Sequence, residues 1–342
     1  MSLRASIVGA SGYTGGEIMR LLTMHPEVEI GQITSRSLAD KPVHVVHPHL
    51  RGHMRQSFSL EADLEPCDVL FLCLPHGVAA GAIERYRAMA RIVVDLSSDF
   101  RLRDAKAYEH WYGQAHTKPE MLAEAVYGLP ELSRAALPGA TLISGVGCNA
   151  TAMNLALLPL ARAGLIERAI ADVKVGSSEA GAEPGPGSHH PTRSRAVRTY
   201  SPSGHRHLAE VQQALGPIDI DATITAIEMV RGVLATIHVL PTRKVEQKEL
   251  WSLYREAYAK EPFVRIVSDR TGAFRLPDPK ILAGCNDADV GFAIDEGSGR
   301  IIALCAIDNL MKGAAGSAVQ AMNVALGLDE SLGLGAPGVH PV

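Results

Sequence analysis

No run in this sequence is long and apolar enough to cross a membrane, which takes about 20 consecutive apolar residues; the apolar stretches here are short and interrupted. Cysteine is sparse. Cys67, Cys73, Cys148, Cys285 and Cys305 are odd in number and form neither a CxxC pair nor a disulfide framework. Charge of one sign is lacking as well. The 33 basic and 37 acidic residues leave a formal charge of −4, which argues against bulk nucleic-acid binding but leaves room for a local basic patch. Nothing marks disorder, collagen, a coiled coil, an internal repeat or a low-complexity tract. The opening Met1-Ser2-Leu3-Arg4 has no secretory character and leads straight into an apolar strand, so a cytoplasmic location is expected.

What is present is the composition of a soluble globular protein, 46% hydrophobic and 20% charged. A length of 342 residues is too great for one ordinary core and predicts two domains. In the first part, short doubly apolar strands (Ala5–Val8, Val28–Thr34, Val69–Leu74, Ile92–Leu96, Leu142–Ser144) alternate with helical patterns such as Gly15–Met24, as in parallel βαβ units. A helix over Asn149–Ala163, interrupted at Pro159, follows. Then longer alternating strands (Ala171–Val175, Thr223–Ile227, Val233–Leu240, Val290–Ile294, Ile301–Ala306) predict a mostly antiparallel sheet, with amphipathic helices at Leu250–Tyr258 and Ala314–Leu326. Between them Gly181–His207 shows no periodicity and reads as a functional loop. The expected fold class is α/β: a Rossmann-type dinucleotide-binding domain plus a second α+β domain.

Gly9, Gly12 and Gly15 are spaced GxxGxxG between the first strand and the first helix. Such a turn lets backbone approach a pyrophosphate at a helix N-terminus. With Ser11, Tyr13 and Thr14 these residues are the expected dinucleotide cradle. The second strand ends in Ser35-Arg36-Ser37, a cation and hydroxyls suited to a 2′-phosphate, rather than in the Asp or Glu that holds a ribose 2′-OH. NADPH/NADP is therefore expected rather than NAD. Pro75-His76-Gly77 follows a buried strand and is expected to floor the nicotinamide site, although His76 alone also fits a capping or packing role.

Ser144-Gly145-Val146-Gly147-Cys148-Asn149 places Cys148 where a glycine turn meets a helix start. The dipole and orphan N–H groups there favour a thiolate and can hold an oxyanion, the requirements for attack on an acyl carbon. A proton donor is needed beside it. In Gly204-His205-Arg206-His207 either histidine can serve, and Arg206 can hold a substrate anion. The clusters His47-Pro48-His49 and His189-His190 lack a matching carboxylate or cysteine set, so no metal is expected. Arg193, Arg195 and Arg198 form a local basic patch suited to an acidic substrate or partner.

These motifs, together with Asp95-Leu96-Ser97-Ser98-Asp99-Phe100-Arg101, Asp308-Asn309-Leu310 and Lys312-Gly313, are collinear over nearly the whole chain. They resemble the N-acetyl-gamma-glutamyl-phosphate reductase family. The resemblance implies NADPH-dependent reductive dephosphorylation through a thioester on Cys148, with His205 as acid/base ahead of His207 and Asn309 near the nicotinamide. Ser98, Arg101, Asn149 and Arg206 fall to the substrate. It also implies a dinucleotide domain over 1–148 with the C-terminal helix region 311–342, and a catalytic and oligomerisation domain over 149–310, in a homodimer or homotetramer.

Arginine-pathway members read Pro-Gly-Cys-Tyr-Pro-Thr around the nucleophile, whereas this chain reads Val146-Gly147-Cys148-Asn149-Ala150-Thr151. With Ser188-His189-His190-Pro191, that resembles the lysine-pathway branch, whose aminoadipyl 6-phosphate is attached to a small acidic carrier protein. Arg193, Arg195 and Arg198 are the expected dock for such a carrier. N-acetyl-gamma-glutamyl phosphate is the alternative substrate, and one methylene separates the two by only about 1–3 kcal/mol in a pocket. Aspartate-semialdehyde and glyceraldehyde-phosphate dehydrogenases share the covalent logic but not these motifs. A non-catalytic nucleotide sensor is the alternative of another class and requires an unreactive Cys148.

Overall fold

The computed structural model describes residues 2–341, which divide into two compact units. In the first, strands β1 (Leu3–Val8), β2 (Val28–Thr34), β3 (Cys67–Leu72), β4 (Ala90–Asp95), β5 (Val126–Tyr127) and β6 (Leu142–Ser144) form a sheet in the order β2-β1-β3-β4-β6-β5. Every pairing in it is parallel. Helices α1 (Tyr13–Leu22), α2 (Val78–Met89), α3 (Ala105–Tyr112) and the short α4 (Pro130–Ser133) lie between these strands in the chain. Both faces of the sheet are covered, so Val69, Leu70, Phe71 and Leu72 are all buried, as a continuous apolar run requires. The chain moves from β1 to β2 on one side and returns to β3 on the other. The turns after β1 and β3 therefore flank a topological switch point, where this kind of sheet binds its ligand.

The second unit contains α5 (Cys148–Arg162), β7 (Ile166–Val175), α6 (His190–Arg193), β8 (Val197–Ser201), α7 (His207–Leu215), β9 (Ile220–Ile227), β10 (Val233–Pro241), α8 (Gln247–Tyr258), β11 (Val264–Ile266), β12 (Ala288–Ile294) and β13 (Ile301–Ile307). Its sheet runs β11-β12-β13-β10-β7-β9-β8. Four of its pairings are antiparallel, and β11·β12 and β7·β9 are parallel, so the sheet is mostly antiparallel, as expected. α5 packs across this sheet and against α7 and α8. A π-helical turn, Met311–Ala315, then leads into α9 (Gly316–Leu326), which belongs to the first unit and packs on α1 and α4. No helix among the described residues is long and apolar enough to cross a membrane.

Several expectations change. Gly181–His207 contains α6 and β8. β8 is an edge strand with one partner, and Val197, Arg198, Thr199 and Tyr200 are all exposed, so it carries no alternation to read. α2, α3 and α7 also lacked a legible pattern. The chain divides between the units after Val146 and Gly313, close to the expected 148 and 310, and α5 packs within the second unit. Residues 336–341 group with the second unit as well, where the Val339 N–H donates to Ala283 O at 2.8 Å.

Pro159 does not interrupt α5. Proline has no N–H, so the carbonyl four residues earlier loses its donor. That carbonyl belongs to Leu155, and the Tyr258 hydroxyl donates to it at 2.6 Å. The Tyr254 hydroxyl donates to the next carbonyl, Ala156 O, at 2.7 Å. α8 thus replaces what the proline removes. Tyr258→Phe should lower unfolding stability in urea by about 1–3 kcal/mol, the range for a buried acceptor left unsatisfied. Restoring the N–H donor with Pro159→Ala should shrink that loss. Equal losses in both backgrounds would refute the compensation.

Candidate active site

The three glycines after β1 serve different purposes. Gly9 has φ +77°, and a Cβ there would stand 2.5 Å from Cys73 O, so this turn lies directly on the one after β3. A Cβ on Gly15 would meet Ala10 Cα at 2.6 Å, which keeps α1 close to its turn. Gly12 is different: its Cβ would meet nothing within 4 Å. It N-caps α1 without a side-chain acceptor, and the first turn carries no acidic residue. Open space therefore faces unsatisfied N–H groups and the positive end of a helix dipole, which suits a pyrophosphate. Ser11 Oγ and Ser35 Oγ lie 3.4 Å apart and tie the turn to the end of β2. Arg36 and Ser37 beyond it are exposed, and no carboxylate occurs over residues 35–39. Tyr13 opens α1 half-exposed, with Thr14 next to it.

Pro75-His76-Gly77 sits at the C-terminal end of β3. Gly77, at φ +84°, N-caps α2. The buried Asp99 carboxylate accepts the Gly77 N–H at 2.7 Å and the Ala80 N–H at 2.9 Å, and lies 2.9 Å from His76 Nδ1. The same nitrogen is 2.7 Å from Ser98 Oγ, and the His76 ring rests on Tyr112 with centroids 4.5 Å apart. Arg101 Nε donates to Ser97 O at 3.1 Å. Of the two residues expected at the substrate, Ser98 contacts His76 in the loop that Asp99 caps, and Arg101 donates to backbone carbonyls of its own segment. Burial and then the neighbouring Asp99 push Asp95 up to about 7.

In the second unit Cys148 is the first residue of α5 and is 9% exposed, with Gly147 as N-cap. Its backbone is tightly placed. A Cβ on Gly313 would lie 2.6 Å from Cys148 Cβ, and one on Gly147 would lie 2.6 Å from Glu210 Oε1 and 2.7 Å from His207 Nε2. Thr151 closes the turn from the other side, its N–H and hydroxyl donating to Gly147 O at 2.8 and 3.0 Å. Cys148 Sγ is 3.7 Å from Asn149 Oδ1. Asn149 Nδ2 donates to Glu179 Oε1 at 3.3 Å, and the Tyr200 hydroxyl donates to the same oxygen at 2.9 Å. Burial, then the Glu179 charge, push Tyr200 well above its ordinary range, so it remains a donor at neutral pH. Burial raises Glu179 too, against the hydrogen bonds it accepts.

His205 and His207 have different surroundings. His207 is buried at the start of α7, its Nε2 3.9 Å from Glu210 Oε1. His205 is more open, and the His207 N–H donates to its Nδ1 at 3.2 Å, which leaves the neutral ring's proton on Nε2. Burial, with Arg206 beside it, pushes His205 down to about 4. Arg206 is the exposed N-cap of α7 and acts electrostatically on Glu179 and His205. Arg193 and Arg198 line a cavity of about 370 Å³ with Glu179, Tyr200, Ser177 and Ser188. Arg195 is exposed at φ +56° and does not line it. Asn309 is buried, accepting the Gly232 N–H at 2.7 Å and donating to Ser178 Oγ at 2.9 Å.

Sequence reasoning passed over Glu179, Tyr200, Asp99 and Glu210. Only Glu210 left a signal, three residues after His207 and hence on the same helix face. The acceptor roles of Asp99 and Glu179 depend on chain brought together from other segments.

A parallel sheet with a glycine turn at its switch point, followed by a second unit that opens on a closely packed cysteine, is the architecture of a nicotinamide-dinucleotide oxidoreductase. The family models agree: residues 4–140 match the semialdehyde dehydrogenase NAD binding domain and residues 148–309 the semialdehyde dehydrogenase dimerisation domain. The chain belongs to the semialdehyde dehydrogenase family. The LysW-L-2-aminoadipate 6-phosphate reductase of Deinococcus radiodurans is 48% identical, with 98% of this chain and 97% of that protein covered. The LysW-L-2-aminoadipate/LysW-L-glutamate phosphate reductase of Sulfurisphaera tokodaii is 45% identical over 99% of each. A Thermomicrobium roseum protein, 52% identical over the whole of both chains, bears the first of these names provisionally. Among solved structures, aspartate semialdehyde dehydrogenase II of Vibrio cholerae superposes with a TM-score of 0.72 at 15% identity, covering 95% of this chain and 98% of that one. The Candida albicans enzyme with NADP gives 0.70 at 15% identity, with the same coverage. These two likenesses establish a shared fold.

The depressed His205 should show in titration. Its ring should stay neutral from pH 8 down to about 5, because protonation sets in only near 4. An unfolded histidine protonates near 6.5, so the pair contributes less stability as pH falls through that window. Side-chain ¹⁵N chemical shifts of His205 followed against pH check this, and a midpoint between 6 and 7 contradicts it.

Proposed function

We propose that this chain reduces LysW-linked L-2-aminoadipate 6-phosphate to its semialdehyde through a thioester on Cys148. The observation that carries this reading is the placement of Cys148 at the first position of α5, fixed by contacts at Gly147 and Gly313, with a neutral His205 held by the first residue of α7 in the same unit. The printed names of the full-length relatives support the substrate. The cofactor is taken to be NADPH, because Arg36 with Ser35 and Ser37 offers a 2′-phosphate a cation and hydroxyls; Arg36 makes no ion pair among the described residues.

The chemistry assigned to the chain follows from these placements. The Cys148 thiolate attacks the acyl carbon and the C–O bond to phosphate breaks, leaving a thioester. The bound dinucleotide supplies the hydride that reduces the thioester carbonyl. N–H groups of the first turn of α5 stabilise the oxyanion as it develops. His205 Nε2–H donates a hydrogen bond to that oxyanion, which collapses to the aldehyde as the C–S bond breaks and the thiolate departs. The cavity lined by Arg193, Arg198 and Ser188 is also lined by Glu179, which accepts from the Asn149 side chain next to Cys148, and offers positive charge to the anionic carrier-bound end of the substrate. Arg195, exposed and outside that cavity, is a separate contact proposed for the carrier. Activity on LysW-linked glutamate phosphate as well is the second reading, favoured by the double name of the Sulfurisphaera tokodaii relative. The match to a dimerisation domain supports assembly as a homodimer or a pair of dimers.

Cys148→Ser should lower phosphate-releasing turnover at least about a thousandfold, as expected when a covalent nucleophile is lost, while NADPH affinity measured by calorimetry stays unchanged. Near-normal turnover by that variant sinks the thioester. Arg36→Ala should raise the KM for NADPH about tenfold, the loss of one charge-assisted contact, and leave that for NADH unaltered. Steady-state assays with both cofactors decide it, and equal effects on the two remove the argument for NADPH.

A further inference from the structure

Glu210 has no part in the chemistry above, yet its carboxylate is fully buried. Removing a carboxylate from water is costly, and a fold retains one where its oxygens hold something. Here Oε2 accepts the Gly147 N–H at 2.9 Å. Gly147 is the residue immediately before Cys148 and the N-cap of α5. Oε1 faces His207 Nε2 at 3.9 Å. Both contacts crowd Gly147 so closely that no side chain fits there. One residue into the same helix turn, the His207 backbone N–H donates to His205 Nδ1, and the rings of His205 and His207 meet edge to face at 4.6 Å.

We propose that Glu210 is the positioning residue for the nucleophile, and that the first turn of α7 sets Cys148 and His205 together. This rests on reading Cys148 as the nucleophile. Glu210 fixes the backbone amide that precedes the sulfur, and so fixes the direction in which α5 presents that sulfur and its first-turn N–H groups. His207, three residues earlier on the same face of α7, sets the imidazole through its own N–H. The separation between nucleophile and hydrogen-bond donor is thereby set by one turn of helix rather than by two independent loops. Small errors there are expensive in rate: a misplacement of about 1 Å can cost roughly a hundredfold.

The test compares Glu210→Gln with Glu210→Asp. Glutamine keeps an oxygen at the same reach for the Gly147 N–H and turns its amide nitrogen toward His207 Nε2. Aspartate keeps the charge but shortens the arm by one methylene. Glu210→Gln is expected to retain kcat within about threefold, whereas Glu210→Asp loses about 10- to 100-fold in kcat with KM within about threefold, as a displaced reacting group requires. Labelling of Cys148 by iodoacetamide, followed by mass spectrometry, should slow in the aspartate variant and not in the glutamine variant. A purely structural Glu210 lowers the thermal midpoint of Glu210→Asp and leaves its kcat per folded molecule and its labelling rate at parent values. That result, or a glutamine variant as impaired as the aspartate one, overturns the proposal. The labelling rates need no substrate, so they report on Glu210 even if Cys148→Ser shows the thioester reading to be wrong.

Discussion

The amide of Gly147 donates to a carboxylate sealed away from water, and the residue that follows is the cysteine. Much of the second unit depends on that contact. The glycine can have no side chain because Glu210 and His207 already occupy the space, and Gly313 can have none because Cys148 does. Gly313 in turn is held by its N–H to Asp308 O, while the buried Asp308 carboxylate accepts from Arg231, Gly284, Leu310 and Met311. Segments far apart in the chain therefore converge on the backbone of a single residue. A buried carboxylate with several donors resists movement because each freed donor would be left unsatisfied. That stiffness suits the nucleophile role proposed for Cys148.

The first unit uses the same device for a different end. Asp99 is buried and caps α2, and by doing so it fixes Pro75-His76-Gly77 at the end of β3. The glycine turn after β1 rests on the carbonyl of Cys73. The strand order places both turns at the switch point, so the cradle is formed by backbone while side chains hold that backbone in place. Of the three glycines in the turn, Gly12 alone faces open space, whereas Gly9 and Gly15 are packed against backbone.

The cavity that Glu179 lines is built from segments that carry little pattern of their own. Arg193 comes from the short α6, Arg198 and Tyr200 from the edge strand β8, and Glu179 from the turn after β7. Arg193 is pinned by a hydrogen bond to Val175 O and Arg198 by one to Gly187 O. The basic patch read along the sequence as one surface is therefore divided: two arginines line a cavity and Arg195 stands apart.

By itself the sequence determined the features that are local or periodic. The parallel strands of the first unit are continuous apolar runs, the glycines recur at a fixed spacing between strand and helix, and Cys148 stands where a glycine turn meets a helix start. Each of these follows from bonding within a few residues, so the sequence displays it directly. Tertiary structure alone decided the rest. That α5 continues through Pro159 depends on two tyrosine hydroxyls of α8. That β8 is a strand depends on β9, since its own side chains face solvent and show no alternation. That His205 rather than His207 is the more open histidine, and that Asp99 and Glu210 matter at all, depends on contacts between residues dozens of positions apart. A buried polar group finds its partner through the fold, and neither residue type nor local spacing records which partner that will be.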